Sequence, residues 1–258
     1  MLDLNQIEKY YPSYLRTFKQ NIVREYLQYK ILEIIFNSKF SERLSFLGGT
    51  ALRILYDNTR FSENLDFDNF DFTDDNFFAL TSEIKQALGK QGYEAEMSNV
   101  FKGAYRCCIK LPKILYDAGL SRLENEKIMI QIDTAPHDFN YKPDKKIINK
   151  FDVFTQINST PLDILLAQKM YAVLNRKRPK GRDFFDITFL LQKTNPNYLY
   201  LKQKVNVKNS DELKQALLKH IEKFDFNQIV KDVKPFLFNP SDNKRIKMFA
   251  DYISKITM

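Results

Sequence analysis

Residues 46–70 read FLGGTALRILYDNTRFSENLDFDNF, and their pattern constrains the architecture more than any other part of the chain. A short apolar run, 44–47, meets Gly48-Gly49-Thr50, and the helix-like sequence ALRILYD follows. The segment NLDFDNF then alternates apolar and acidic side chains, which is the periodicity of a strand. The stretch therefore predicts a strand, a glycine-rich turn, a helix and a second strand.

Asp66 and Asp68 stand two residues apart in the second of these strands, so both carboxylates point to the same face. Adjacent carboxylates repel each other unless a cation neutralises them, and Mg²⁺ suits such hard oxygen ligands. Asp133 ends another predicted strand, 127–133. If that strand lies beside 64–70, three carboxylates converge, as a two-metal phosphoryl-transfer site requires. The alternatives are chance surface acids and, for Asp133, the capping of a turn.

The Gly48-Gly49-Thr50 turn offers a second type of contact. Glycines there let the backbone approach a ligand closely, and the start of the following helix has free N–H groups for a phosphate. An ordinary strand-to-helix turn is the alternative interpretation.

A cluster of cations follows in the stretch PLDILLAQKMYAVLNRKRPKGRDFFD, which begins at Pro161. No acid interrupts the six cations of this cluster, which are Lys169, Arg176, Lys177, Arg178, Lys180 and Arg182. Such a group suits a triphosphate or a nucleic-acid backbone. Cations at the end of a helix also favour its dipole, and this is the alternative. For Asp183 and Asp186, at the start of the next helix, capping is the default role.

The helix and strand patterns change near residue 159. Before it, we predict a helix over 14–37 capped by Ser13 and another from Thr73 to about Leu88, with strands near 93–97, 102–110, 127–133 and 151–157. After it, a helix capped by Thr160 with Pro161 in its first turn is followed only by helices, about 182–193, 197–204, 211–224, 226–236 and 242–256. The prediction is an α+β fold with a mixed sheet lobe over 1–158 and an all-helical lobe over 159–258.

The composition excludes several classes of protein. Hydrophobic residues make up 44% of the 258 residues, which excludes a disordered chain, and no apolar run approaches the roughly 18 residues of a membrane span. Two Cys and two His are too few for a Cys/His metal site. Cys107 and Cys108 are adjacent and point to opposite faces of a strand, so we expect no disulfide. The N-terminus lacks a signal-peptide pattern, and we therefore expect a reducing, cytoplasmic location.

The charges are unevenly distributed. Residues 61–99 hold two cations and nine anions, whereas residues 100–258 hold 29 cations and 17 anions. This asymmetry favours two partners, a cation at the acidic segment and a polyanion elsewhere. Two solvated faces without a ligand are the alternative.

In the stretches 46–70 and 161–186, the chain resembles the AbiEii/AbiGii-type toxin family of nucleotidyltransferases, a branch of the DNA-polymerase-β-like superfamily. The stretch 46–70 looks like the first signature of this family, and the stretch from Leu166 through Lys169 and Arg182 to Asp186 is similar to the second. Sixteen residues separate Gly49 from Asp66, more than is usual in the superfamily, and a glycine pair replaces the commoner Gly-Ser. Neither feature departs from the toxin branch.

The resemblance implies Mg²⁺-dependent transfer of an NMP from an NTP, by a nucleotidyltransferase-like sheet lobe followed by a helical lobe. By matching positions, Asp66 and Asp68 would hold metal, and Gly48, Gly49 and Thr50 would contact phosphate. Lys169 would face the nucleotide, and Arg182 and Asp186 would belong to the same nucleotide site. Asp133 fits the third carboxylate of the superfamily. Family members are typically toxins with a separately encoded, DNA-binding antitoxin, and some modify tRNA 3′ ends.

Taken together, the sequence predicts a toxin nucleotidyltransferase whose acceptor is RNA, with no membrane partner. The RNA-binding residues would be the cations after Lys169, namely Arg176, Lys177, Arg178 and Lys180. One alternative is a nucleotidyltransferase of the antibiotic-modifying kind, with a small-molecule acceptor. The other is a catalytically silent module that binds RNA or a protein.

Overall fold

The computed structural model describes residues 2–101 and 104–258. The chain divides into two compact units. The first contains Met1–Tyr56 and Phe61–Ser159, and the second contains Asp57–Arg60 and Thr160–Met258. The short segment 57–60 thus belongs to the second unit, which the sequence did not indicate.

The first unit is built on a mixed sheet. Its described strands are β1 (Leu44–Leu47), β2 (Leu65–Asn69), β3 (Glu96–Phe101), β4 (Tyr105–Leu111), β5 (Ile128–Pro136), β6 (Asp144–Lys150) and β7 (Val153–Ser159). Their order across the sheet is β3-β4-β5-β2-β1-β7-β6. Strand β2 runs parallel to β5 and antiparallel to β1, and β1 runs parallel to β7. The predicted strand over 64–70 is therefore confirmed, and it lies at the centre of the sheet.

The helices of the first unit are α1 (Leu4–Glu8), α2 (Lys19–Phe36), α3 (Gly48–Tyr56), α4 (Asp74–Lys90) and α5 (Ile114–Asp117). The predicted start of α4 is confirmed, because Thr73 forms a capping box with Asn76. The predicted cap at Ser13 is wrong. Ser13–Leu15 forms a separate 3₁₀ turn that buries Leu15, and α2 starts later without a side-chain cap.

Alternation along the strands separates a buried face from an accessible one. Ile128, Ile130 and Ile132 on β5 are at most 2% exposed, as their spacing predicted. The adjacent thiols also alternate, since Cys107 is buried, Cys108 is half-buried, and both are free. Burial, with a smaller effect of the neighbouring Cys108, raises the pKa of Cys107 to about 12, which favours the neutral thiol over the reactive thiolate.

The second unit is helical, as predicted. Its helices are α6 (Leu162–Asn175), α7 (Gly181–Leu190), α8 (Tyr198–Val205), α9 (Ser210–Ile221), α10 (Phe226–Val233), α11 (Lys244–Lys247) and α12 (Phe249–Lys255). The predicted cap at Thr160 is wrong, because Pro161 occupies the N-cap position. Helix α10 ends before Pro235, where a 3₁₀ turn begins, and the predicted helix 242–256 is interrupted at Met248.

A close approach of two helices fixes part of this unit. A Cβ added to Gly181, at the start of α7, would stand 2.3 Å from the carbonyl oxygen of Ile229 on α10.

None of the described helices is both long enough and apolar enough to cross a lipid bilayer.

Candidate active site

The two acids of the first motif lie on β2, between β1 and β5. Leu65 and Phe67 are buried on the opposite face, as the alternation predicted. Asp68 is 8% exposed and Asp66 is half-buried. Two carboxylates in so enclosed a position favour a bound cation, because a cation offsets the repulsion between them.

Gly48 and Asp66 form one structural unit. Gly48 begins α3 with φ of +81°, a conformation that favours glycine. A Cβ added there would stand 2.4 Å from Oδ2 of Asp66. The Asp66 carboxylate therefore lies directly over the Gly48 backbone, and the glycine gives it room. The glycine turn and the acid pair, which are separate motifs in the sequence, meet at this point.

Thr50 ties the start of α3 to the start of β2. Its side chain is buried, and its hydroxyl donates to the backbone carbonyl of Asn64. We predicted a phosphate contact for Thr50, but the structure uses its hydroxyl proton inside the unit. The backbone N–H groups in the first turn of α3 are the remaining donors of this motif for a phosphate.

Two residues that the sequence analysis missed hold Asp68. The Tyr141 hydroxyl donates to Oδ2 of Asp68 over 2.7 Å, and Nδ1 of His137 lies 3.1 Å from Oδ1. The His137 and Tyr141 rings also contact each other, with centroids 4.9 Å apart. One signal was available in the sequence, since His137 is one of only two histidines and follows the predicted strand of Asp133 by four residues.

The structure places Asp133 beside Asp66 in the parallel pairing of β2 with β5. Its carboxylate, however, is held by other groups. Nε of Arg106 donates to Oδ1 over 2.7 Å, and Nε2 of Gln131 donates to Oδ2 over 2.5 Å. Among residues 2–101 and 104–258, no three His, Cys, Asp or Glu are grouped so that they could hold a metal ion. In the structure the third acid is paired with a guanidinium, and its role as a metal ligand stays a prediction.

Lys169 lies on α6 within a network of charges in the helical unit. Its Nζ is 3.1 Å from Oδ1 of Asp183 and 2.9 Å from Oδ2 of Asp186, and its side chain is 14% exposed. Burial lowers the pKa of Lys169, but the charges of Asp186 and Asp183 outweigh it and raise the pKa above its ordinary value. The ammonium is therefore charged, and the two acids bind it instead of serving only as helix caps.

Asp186 is the centre of this network and is fully buried. It accepts from Nε and a terminal nitrogen of Arg60, over 2.8 and 2.7 Å, and from the amide of Asn58 over 2.9 Å. Burial raises the pKa of Asp186, but the charges of Arg60 and Lys169 outweigh it and hold the pKa well below its usual range. The sequence analysis missed Asn58 and Arg60, although both lie within the first signature.

The position of segment 57–60 explains why the glycine turn and the acid pair are far apart in the sequence. Arg60 is 2% exposed and forms a bridge with Leu237, so segment 57–60 is part of the helical unit. The sixteen residues between Gly49 and Asp66 therefore contain both α3 and a segment that binds Asp186.

The other cations of the cluster differ in exposure. Arg176 forms an ion pair with Asp183 and is part of the network around Lys169, so it differs from the exposed cations of the predicted RNA-binding group. Arg182 is half-buried on α7. The exposed members of the predicted RNA-binding group are Lys177, Arg178 and Lys180.

A family model and several solved structures are similar to this chain over most of its length. The model of the AbiEii family, described as a nucleotidyl transferase toxin of type IV toxin–antitoxin systems, matches residues 30–253. Among solved structures, MenT4, a nucleotidyltransferase toxin from Mycobacterium tuberculosis, has a TM-score of 0.60 at 12% identity, over 99% of this chain and 91% of MenT4. JHP933 from Helicobacter pylori has a TM-score of 0.56 at 18% identity, over 92% of each chain.

At these low identities, the two solved structures show a shared fold. No curated protein gives a significant match. The family model covers both signatures and most of each unit, and membership implies an NTP as substrate and a separate antitoxin. The chain belongs to the AbiEii family and is a nucleotidyltransferase of the toxin type.

Proposed function

We propose that this enzyme transfers an NMP from an NTP to an RNA acceptor such as a tRNA 3′ end, with Mg²⁺ held by Asp66 and Asp68. The observation that carries the proposal is the close packing of the Asp66 carboxylate on Gly48, next to the N-terminus of α3. Metal ligand and phosphate-binding backbone are then neighbours, as the transfer of a nucleotide from a metal-bound triphosphate requires.

The residues present fit a magnesium ion. Mg²⁺ commonly takes one or two protein carboxylates and completes its shell with water and phosphate oxygens. A carboxylate has about four lone-pair sites, so it can accept from Tyr141, lie against His137 and also ligate a cation. These two contacts also fix the orientation of the carboxylate, which is the usual role of the residues behind a metal ligand.

In the proposed reaction, a hydroxyl oxygen of the acceptor bonds to the α-phosphorus as the bond to pyrophosphate breaks, and the hydroxyl proton is released. Mg²⁺ held by Asp66 and Asp68 would supply positive charge against the triphosphate. Asp66 and Asp68 would hold the ion, and the first turn of α3 donates N–H groups to the triphosphate. Within the helical unit, the network around Lys169 combines three cations with only two acids and so has a net positive charge, and the nucleotide contact of Lys169 stays a prediction.

The acceptor is inferred from charge. Lys177, Arg178 and Lys180 are exposed between α6 and α7, and residues 100–258 have a net charge of +12. A surface of this kind favours a polyanionic acceptor over a small neutral one. A separately encoded antitoxin would be the protein partner.

The test is incubation of the enzyme with each labelled NTP, Mg²⁺ and total tRNA, in wild type and in Asp66→Asn and Asp68→Asn. We expect each substitution to reduce RNA labelling by about a hundredfold or more, because a metal ligand is lost. Asp75→Asn is the matched control, since it removes an exposed acid at the start of α4.

Melting temperatures in metal-free buffer show whether the variants fold. We expect both site variants to melt cooperatively, because each removes one of two repelling charges and asparagine keeps the size of the side chain. Full labelling by both site variants would contradict the metal assignment. Label that appears only on a small molecule would contradict the RNA acceptor.

A further inference from the structure

Arg106 lies in the same cross-strand row as two of the predicted site acids. In the sheet, Arg106 on β4 is paired with Asp133 on β5, and Asp133 is paired with Asp66 on β2. Paired residues on neighbouring strands point to the same face. The accessible face of the sheet therefore presents a guanidinium, a carboxylate and a second carboxylate side by side.

Asp133 has the contacts of a residue that orients an arginine. Both of its oxygens accept hydrogen bonds, one from Arg106 and one from Gln131. A cation already lies 2.7 Å from Oδ1, so a metal ion bound to the same carboxylate would be placed beside a positive charge. This arrangement disfavours Asp133 as a metal ligand.

Arg106 has hydrogen-bonding capacity to spare. Its side chain is 56% exposed, and its described contact with Asp133 uses Nε alone. A guanidinium has five N–H donors in a planar fork that matches phosphate oxygens. The two terminal nitrogens, with four of those donors, make no hydrogen bond to residues 2–101 or 104–258. The ion pair with Asp133 raises the pKa of Arg106, so its charge is fixed.

The distances place this group within reach of a nucleotide at Asp66. Neighbouring strands are about 5 Å apart, so Asp133 separates Arg106 from Asp66 by only two strand spacings, about 10 Å. The Arg106 side chain leans towards β5, since its Nε donates a hydrogen bond to Asp133 on that strand.

We propose that Arg106 binds the triphosphate of the NTP and that Asp133 is a positioning residue which orients this guanidinium, not a ligand of the metal. The inference rests on the proposed function, because it uses the nucleotide held at Asp66 and Asp68. It adds a cation from the sheet unit to the site and gives the third acid a different role. Two acids are then left for one divalent cation, a number typical of Mg²⁺ sites.

The test compares two binding measurements in Arg106→Gln, Asp133→Asn and the double variant. The first is calorimetric affinity for each NTP with Mg²⁺. We expect Arg106→Gln to weaken it about tenfold, as for the loss of one hydrogen bond to a charged group. Asp133→Asn should weaken it less, and the double variant should be no weaker than Arg106→Gln, because both changes remove the same interaction.

The second measurement is Mn²⁺ affinity by electron paramagnetic resonance, without nucleotide. Asp133→Asn should bind Mn²⁺ within about twofold of wild type, whereas Asp66→Asn should lose at least tenfold, as expected when a ligand is removed. Lys110→Gln is the matched control for charge, since Lys110 is an exposed cation on the same face of β4. It should leave both affinities unchanged.

Three results would overturn the inference. They are a loss of Mn²⁺ binding in Asp133→Asn as large as in Asp66→Asn, an Arg106→Gln variant with wild-type NTP affinity, and losses that multiply in the double variant. Failure of the proposed function looks different, because Asp66→Asn would then bind Mn²⁺ normally. The NTP affinities of the Arg106 and Asp133 variants would still decide the role of Arg106.

Discussion

Gly48 is the residue whose substitution most directly tests the geometry of the site. Gly48→Ala would add a Cβ 2.4 Å from Oδ2 of Asp66, so the carboxylate must move. It also places alanine at φ of +81°, which costs about 1–2 kcal/mol. We expect transfer activity to fall by about a hundredfold, measured as label incorporated from an NTP, together with a lower melting temperature.

Gly92→Ala separates these two effects. Gly92 has nearly the same backbone angle, φ of +85°, but nothing lies within 4 Å of the added Cβ. This control should lose similar stability and keep its activity. Equal activity losses in the two variants would show that backbone strain, and not displacement of Asp66, is responsible.

At the scale of single residues, the sequence predicted what alternation and spacing determine. Asp66 and Asp68 lie on one face of β2 because the period of a strand is two, whatever surrounds it. The partners of these acids depend on contacts between distant segments. Tyr141 lies 73 residues from Asp68, and Arg60 lies 126 residues from Asp186. Local patterns contain no information about such pairs.

At the scale of elements, the misses also have physical causes. Strand β6 was not predicted, because only Ile148 of DKKIINK is buried, whereas three of its residues are half-buried and three are exposed. It is an edge strand, and edge strands with several lysines show weak apolar alternation. The segment 57–60 was read as part of a signature for the site, but its buried residues bind Asp186 within the helical unit.

The role of segment 57–60 predicts a large effect on stability. Asp186→Asn would leave Arg60 and Lys169 buried with too little negative charge, and removing one partner of a buried ion pair costs about 3–5 kcal/mol. We expect this loss in the free energy of unfolding measured with urea. Asp251→Asn, at an exposed acid of the same unit, is the control and should change stability by less than about 0.5 kcal/mol.

The ion pairs of Asp186 with Arg60 and Lys169 also predict that the stability of the protein depends on pH. The pKa of Asp186 is lower in the folded than in the unfolded chain, where it is about 3.9. Its contribution is therefore fully present above that value and is lost as the pH falls towards the folded pKa. The stability difference between wild type and Asp186→Asn should be constant from about pH 7 to 5 and shrink below about pH 4. A constant difference down to pH 2 would contradict the ionic role of Asp186.

At the scale of the whole molecule, the charge asymmetry found in the sequence falls on different elements. The acidic stretch 61–99 contains β2 and all of α4, and the basic excess includes the α6–α7 connection. Net charge determines long-range attraction and not the reaction itself. Binding of the proposed RNA acceptor should therefore weaken as the salt concentration rises. Binding of the NTP should depend mainly on the residues around Asp66.

Removing the exposed cations of the α6–α7 connection tests that separation. Replacement of Lys177, Arg178 and Lys180 by Gln should weaken tRNA binding and reduce the slope of log affinity against log salt by about two to three units, because each lost phosphate contact contributes about 0.7–0.9. NTP affinity should stay within about twofold of wild type. The control replaces Lys202, Lys208 and Lys219, which are equally exposed cations outside this connection. If the control lowers the slope as much, RNA binding follows total charge and the α6–α7 connection is not its site. If the first variant loses NTP and retains tRNA, these cations serve the nucleotide and the acceptor binds elsewhere.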